Sequence, residues 1–453
     1  MHSPTARHAR LRRFVGGVIL TLVGLLAASA WCARPFVVAG PSMAETLLGS
    51  HRQLTCADCG CVFRCGADEP GMLGKRAVCP NCGDATLRLD TAEPLSADGV
   101  LVDRSAFLLR SPRRWELAAF RRSEQGSQVY VKRVVGLPGE TIDLRHGDIY
   151  ANGVIQRKTL AQQRAMAVMV YDSNHEPSGL PSRWLPDAES SWRQSGGRFW
   201  RPAANLRSDE QAMDWLTYHH RRRGSNGIVD ECPITDDCGY NQTTPVTESN
   251  AVRDLVVRCW MRVAELPRVT WLMTDGVSQF LIELDFAGGT ASVVQDGRRM
   301  AAAPLPRPPA DDVLCELALC DHQVLLALDR REVLSLPYTP PDVPLRPTSR
   351  PIAVGSGGDG LEIWDLVLLR DVYYRSVAPR ERRPSQARLG GDEYYVLGDN
   401  SSASLDSRSW TQPGIAADDL VGKPLLAYPS GMVNSGPGSQ FQVPPLDRFR
   451  YIR

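Results

Sequence analysis

The stretch "QVYVKRVVGLPGETIDLRHGDIYANG", Gln128 to Gly153, decides the fold class. Its first part has a period of two, so Tyr130, Lys132 and Val134 fall on one face and Val131, Arg133 and Val135 on the other. The "PGE" at Pro138–Glu140 turns the chain, and Asn152-Gly153 is a hairpin signal. The stretch therefore predicts short strands joined by tight turns. It also carries a lysine with chemical potential. Burial on an apolar strand face disfavours the ammonium, and a neutral amine can take the proton of a serine hydroxyl. Taken alone, a strand lysine is ordinarily a solvated edge residue. Its meaning depends on whether a serine is placed for it to serve.

Outward from this stretch the β pattern continues. In "SQFLIELDFAGG", Phe280, Ile282, Leu284 and Phe286 share one face; "LLALDRREVLSL" reads as a hairpin about Asp329 and Arg330; "GLEIWDLVLLRDVYY" is a long apolar strand. Residues 251–376 thus predict an antiparallel β-sandwich. Residues 161–250 show no clear period and predict irregular structure, with one helix around "DEQAMDWLTYHHRRR". A Pro- and Arg-rich linker, 377–390, leads to the C-terminal part, 391–453.

With 453 residues the chain has room for two or three domains, and its net charge of +1 gives no field for drawing in nucleic acid. Phe14 to Ala33 carries no charge and has the length of a membrane-crossing helix. Arg7, Arg10, Arg12 and Arg13 precede it and only Arg34 follows closely, which predicts a cytoplasmic basic tail (1–13), a single transmembrane helix (14–33) and an exported remainder. The rival is a cleavable signal peptide with "ASA" at Ala28–Ala30 as its site; the length of the apolar run favours the anchor.

Six of the twelve cysteines lie between Cys56 and Cys82. "CADC" (Cys56, Cys59) and "CPNC" (Cys79, Cys82) are each followed closely by glycine, and this spacing predicts a structural Zn2+ site in a ribbon-like insert over 51–90. Disulfides are the alternative in an exported domain. Cys61 and Cys65 are spare, and Cys315 and Cys320 are either a local bridge or two buried thiols.

The order of segments resembles the bacterial type I signal peptidases, the Ser-Lys leader peptidases. It runs from an apolar span through "PSMAETLL" (41–48), "VLVDR" (100–104) and "YVKRVVGLPGE" (130–140) to "YYVLGDNSSASLDSR" (394–408). The resemblance implies a mainly β fold, with a nucleophile segment over 34–50 and a general-base region over 91–160. It implies Ser42 as nucleophile, Lys132 as general base and Ser404 as the serine that orients the lysine. Asp399, Asp406 and Arg408 match residues that hold the site together, and Met43 the partly buried neighbour of the nucleophile. Glu45 stands where many members have proline. Gly40 stands where some members carry a serine whose hydroxyl serves the oxyanion hole. The implied partners are exported preproteins, cut after small residues, and membrane lipid. The implied place is the bacterial inner membrane, single-pass, with the catalytic part on the extracytoplasmic side; catalysis needs no cofactor. More loosely, 251–376 resembles the concanavalin or laminin-G jelly roll, which implies a carbohydrate or protein ligand. The competing functions are a regulatory Ser-Lys protease with one partner substrate and an inactive scaffold displaying a lectin-like module. The order of the pieces also predicts that replacing 165–385 with a short Gly/Ser linker leaves some cleavage.

Overall fold

The computed structural model describes residue 15 and residues 32–452, apart from 68–75, 123–127, 203–212, 225–226, 242–248, 265–267, 307–311, 358–359, 377–385, 431–432, 435–441 and 444–448. The described chain is mainly β. One sheet contains β1 (Ala33–Val37), β2 (Asp98–Asp103), β3 (Leu117–Arg121), β4 (Val129–Gly136), β5 (Glu393–Leu397), β6 (Gly414–Ala416) and β7 (Leu420–Pro429). Its order is β1-β2-β7-β3-β4-β5-β6, with Arg450–Tyr451 pairing on β7. β4 lies between β3 and β5: Lys132 faces Ala118, and Arg133 faces Leu117 on one side and Leu397 on the other. The period read in this strand holds at Val134, which is fully buried with Ala118, Phe120, Tyr394 and Val396. Asn152 and Gly153 take positive φ between Asp148–Ala151 and Val154–Ile155, as a tight hairpin requires.

Two further antiparallel sheets share one apolar core. Leu255–Val263, Val313–Cys320, Gln323–Leu328, Arg331–Pro337 and Leu361–Arg370 belong to the first; Arg268–Thr274, Gln279–Asp285, Thr290–Gln295, Arg298–Pro304 and Ile352–Ser356 to the second. Phe280, Ile282, Leu284 and Phe286 all point into the core. Asp329 and Arg330 form the turn between Gln323–Leu328 and Arg331–Pro337, both with positive φ.

The region expected to be irregular is not. Thr159 caps a helix over Leu160–Met166 through a capping box with Gln162. Val168–Asp172 and Arg198–Arg201 then join the first large sheet, and Trp184–Pro186 and Asp214–Tyr218 join the second. The helix expected around "DEQAMDWLTYHHRRR" gives way to the strand Asp214–Tyr218, in which Leu216 and Tyr218 are buried against the sheet core. Residues 209–212 of that expectation lie outside the described residues.

The N-terminal expectation needs correction. Among the described residues, no helix is long and apolar enough to cross a membrane. Most of 14–33, and the basic tail 1–13, lie outside the described residues. At the end of the expected span, Ala33 already belongs to β1 and pairs with Asp103, and this ladder requires extended backbone. The expected transmembrane helix is therefore absent from the fold of the described residues. With it goes the feature on which single-pass location in the inner membrane rested.

Candidate active site

Lys132 is 3% exposed on β4, and its Nζ donates to Ser404 Oγ at 3.1 Å. Burial lowers its pKa to about 8; Asp406 and Asp399 oppose that shift and Arg408 adds to it. An amine in that range is neutral in a useful fraction of molecules near neutral pH and can act as a base. Ser404 follows the 3₁₀ turn Ser401–Ala403.

Ser42 sits half-buried in the 3₁₀ turn Pro41–Met43, which packs against both β4 and the Ser401–Ala403 turn. Met43 anchors this turn from below: it is 1% exposed, deeper than expected, among Leu47, Val100, Val102 and Leu117. Asn400 holds the turn from the side. Its main-chain N–H donates to Ser42 O at 3.1 Å, and its Nδ2 donates to Pro41 O at 3.0 Å. Gly398 shows how tightly the two serines are brought together. A Cβ there would lie 2.3 Å from Ser404 Oγ and 2.4 Å from Ser42 O, so only glycine fits.

The remaining expected residues form the frame. Asp406, fully buried, receives Gly398 N–H at 3.0 Å and a two-bond contact from Arg408 at 2.8 and 2.6 Å. Arg408 in turn donates to Ser401 Oγ at 2.7 Å. Asp399 takes two bonds from Arg133, at 2.7 and 2.6 Å, and Thr46 Oγ1 donates to its Oδ2 at 2.6 Å. Gly40 has extended backbone, and a Cβ there would meet nothing within 4 Å, so no side-chain donor stands at this place and the space for one is open.

Sequence reasoning missed Arg133, Thr46, Gly398 and Asn400. The signals were adjacent: Arg133 follows the lysine, and Gly398 and Asn400 flank Asp399 in "GDN".

The cysteine cluster is a separate site. Two similar knuckles face each other, with Gly60 N–H on Cys56 O and Gly83 N–H on Cys79 O, both at 2.9 Å. Gly60 and Gly83 take φ of 73° and 78°, which favours glycine. Sγ of Cys56 and Cys82 are 3.5 Å apart, and those of Cys59 and Cys79 are 3.7 Å apart. A tetrahedral zinc with bonds of about 2.3 Å sets its sulfurs roughly 3.8 Å apart, whereas a disulfide requires about 2.05 Å. The four thiols therefore fit a zinc ion. Cys65 Sγ lies apart, donating to Gly239 O at 3.4 Å, and Cys61 is buried beside the knuckle. Cys315 and Cys320 are both unbridged, five positions apart on one strand and so on opposite faces. A second acidic group, Asp148, Asp254 and Asp321, already meets protein cations: Lys158 Nζ lies 2.6 Å from Asp321, and Arg253 Nη2 lies 2.7 Å from Asp148.

Residues 11–180 match the model of the family described as signal peptidase, peptidase S26. The matched stretch contains Ser42 and Lys132 and ends before Ser404. A probable signal peptidase I-2 of Synechocystis sp. is 28% identical over 61 residues, which cover 12% of this chain and 28% of that protein. Both matches support the signal peptidase family, although the chain spans little more than a quarter of that relative's length. Among solved structures, the carbohydrate-binding module CBM66 of Bacillus subtilis covers 42% of this chain and 93% of its own, at 10% identity and a TM-score of 0.22. The apo Crh5 transglycosylase covers 52% and 92%, at 11% identity and a TM-score of 0.28. Scores this low carry no ligand to the β-sheets of this chain.

Proposed function

We propose that this chain is a serine endopeptidase of the signal peptidase type, with Ser42 as nucleophile and Lys132 as general base, cutting exported preproteins after small residues. The observation that carries the reading is the buried Lys132 amine, lowered to about 8 and held by the Ser404 hydroxyl. The family match over 11–180 supports the same class.

The chemistry follows from the groups present. Lys132 takes the Ser42 proton as Oγ attacks the substrate carbonyl. The tetrahedral oxyanion is met by main-chain N–H, with Ser42 N–H as a donor, since Gly40 offers no hydroxyl. As the C–N bond breaks, the lysine returns the proton to the leaving amine. Water then attacks the acyl-Ser42 ester with the same lysine as base. Ser404 keeps the amine aimed, and Asp399, Asp406 and Arg408 fix the loop that carries Ser404. The reaction uses no cofactor. A structural zinc held by Cys56, Cys59, Cys79 and Cys82 would stabilise its own segment and take no part in the chemistry.

The test is cleavage of a purified preprotein bearing an Ala-x-Ala site, with mass spectrometry locating the cut. Wild type cleaves after the second alanine and Ser42→Ala does not. Equal cleavage by Ser42→Ala would remove Ser42 from the role.

A further inference from the structure

Asn400 fixes the two carbonyls of the nucleophile turn, but its own amide is held by a residue far outside the catalytic segments. Asn241 Nδ2 donates to Asn400 Oδ1 at 2.6 Å, and Asn400 Nδ2 donates to Asn241 Oδ1 at 2.7 Å. Asn241 Nδ2 also donates to Ser402 Oγ at 3.0 Å, in the turn that leads to Ser404. Both partners lie in the segment that carries Ser404, and Asn400 passes the contact on to the Ser42 turn.

The reciprocal pair settles which way the Asn400 amide faces. Asn400 must present Nδ2 to Pro41 O, and Asn241 meets both the second hydrogen of that nitrogen and the Asn400 oxygen. Without Asn241, the 2% exposed Asn400 loses its main donor to Oδ1. Its amide is then free to turn and set oxygen against Pro41 O.

Asn241 is itself firmly based. It ends the 3₁₀ turn Gly239–Asn241, where Tyr240 is buried and donates to Ser50 O at 3.2 Å, and where Gly239 O receives Cys65 Sγ. Just before it, Arg370 donates to Asp237 O at 2.9 Å, and Arg375 holds Asp236 by two bonds at 2.5 and 2.9 Å. Arg375 also reaches the site, since its N–H donates to Ser401 Oγ at 2.9 Å.

We infer that Asn241 is a positioning residue for the Ser-Lys reaction, acting through Asn400 and Ser402 on the Ser42 and Ser404 segments. The inference rests on the reading of Ser42 and Lys132 as the reacting pair. It also bears on the expectation that some cleavage survives replacement of 165–385: that replacement removes Asn241 and with it the brace.

The experiment compares wild type, Asn241→Ala, Asn241→Asp, Asn400→Ala and the double variant Asn241→Ala/Asn400→Ala on the Ala-x-Ala preprotein. Asp keeps the shape of Asn but cannot donate to Asn400 Oδ1 or Ser402, so it separates the hydrogen bond from packing. The expected result is a kcat lowered roughly 10- to 100-fold in both Asn241 variants, as small misplacements of reacting groups produce. KM should change less than about threefold, and the double variant should be no slower than Asn400→Ala alone. The apparent pKa of the rate profile should stay at the wild-type value, because Asn241 does not touch Lys132. Wild-type kcat in a folded Asn241→Asp, or additive losses in the double variant, would overturn the inference. If wild type itself fails to cleave, the peptidase reading fails instead. Amide exchange across 399–404 in the Ser42→Ala background gives a readout independent of activity: faster exchange on adding Asn241→Ala is expected, and unchanged exchange counts against the brace.

Discussion

Arg133 and Asp399 lie 266 positions apart in the sequence, yet form a two-bond ion pair in which the side chains are 1% and 3% exposed. Arg133 also donates to Trp115 O at 2.6 Å, and Asp399 receives Thr46, so the pair ties β4, the chain before β3 and the nucleophile segment to one point. Removing one partner of such a pair leaves the other charge buried and uncompensated. Asp399→Ala should cost about 3–5 kcal/mol of stability. Urea unfolding checks this, and a loss under 1 kcal/mol would mean that water reaches Arg133.

Gly398→Ala tests the closeness of the two serines. The added methyl meets Ser404 Oγ and Ser42 O at distances that no relaxed structure tolerates. One segment must move, and a shift of that kind typically costs on the order of 10²-fold in rate. A folded variant with near-normal cleavage would show that the two segments separate freely.

For the cysteine knuckles, metal analysis of protein purified without added zinc should return about one zinc per chain, because structural zinc contributes directly to folding. Cys79→Ser should lower that content and loosen the hairpin His51–Thr55/Val62–Gly66 before the rest of the fold, seen as faster amide exchange there. Cross-linked cysteines with no metal would favour disulfides.

Much of this arrangement was legible because it is local. The alternation in β4, the Asn152-Gly153 turn, the Asp329-Arg330 turn and the two CxxC knuckles all follow from neighbouring residues. The missed features are long-range. Asp214–Tyr218 is a strand because Ile352–Ser356 lies ready to pair with it, and nothing within the segment announces that partner. Likewise Arg133 finds Asp399, and Asn241 finds Asn400, across contacts that no periodicity encodes. At the end of the apolar run the local pattern carried helix one position too far, since Ala33 takes its place in a sheet.

Lys132→Arg and Lys132→Met separate charge from basicity. Arginine keeps the positive charge but cannot give up its proton in this range, and methionine keeps the length without an amine. Both variants should lose cleavage while circular dichroism stays that of wild type. Substantial cleavage by the arginine variant would leave Lys132 only an electrostatic or structural role.

The most direct test of the Ser-Lys account is the pH dependence of kcat/KM for wild type on the Ala-x-Ala preprotein. Burial lowers the Lys132 pKa to about 8, and the working form is the neutral amine. Activity must therefore be low where the ammonium persists and rise as pH climbs. The account predicts an increase of about tenfold per pH unit on the acid side and a plateau above roughly pH 8. A profile that is flat from about pH 6 to 8, or that falls across this range, would contradict Lys132 as the general base.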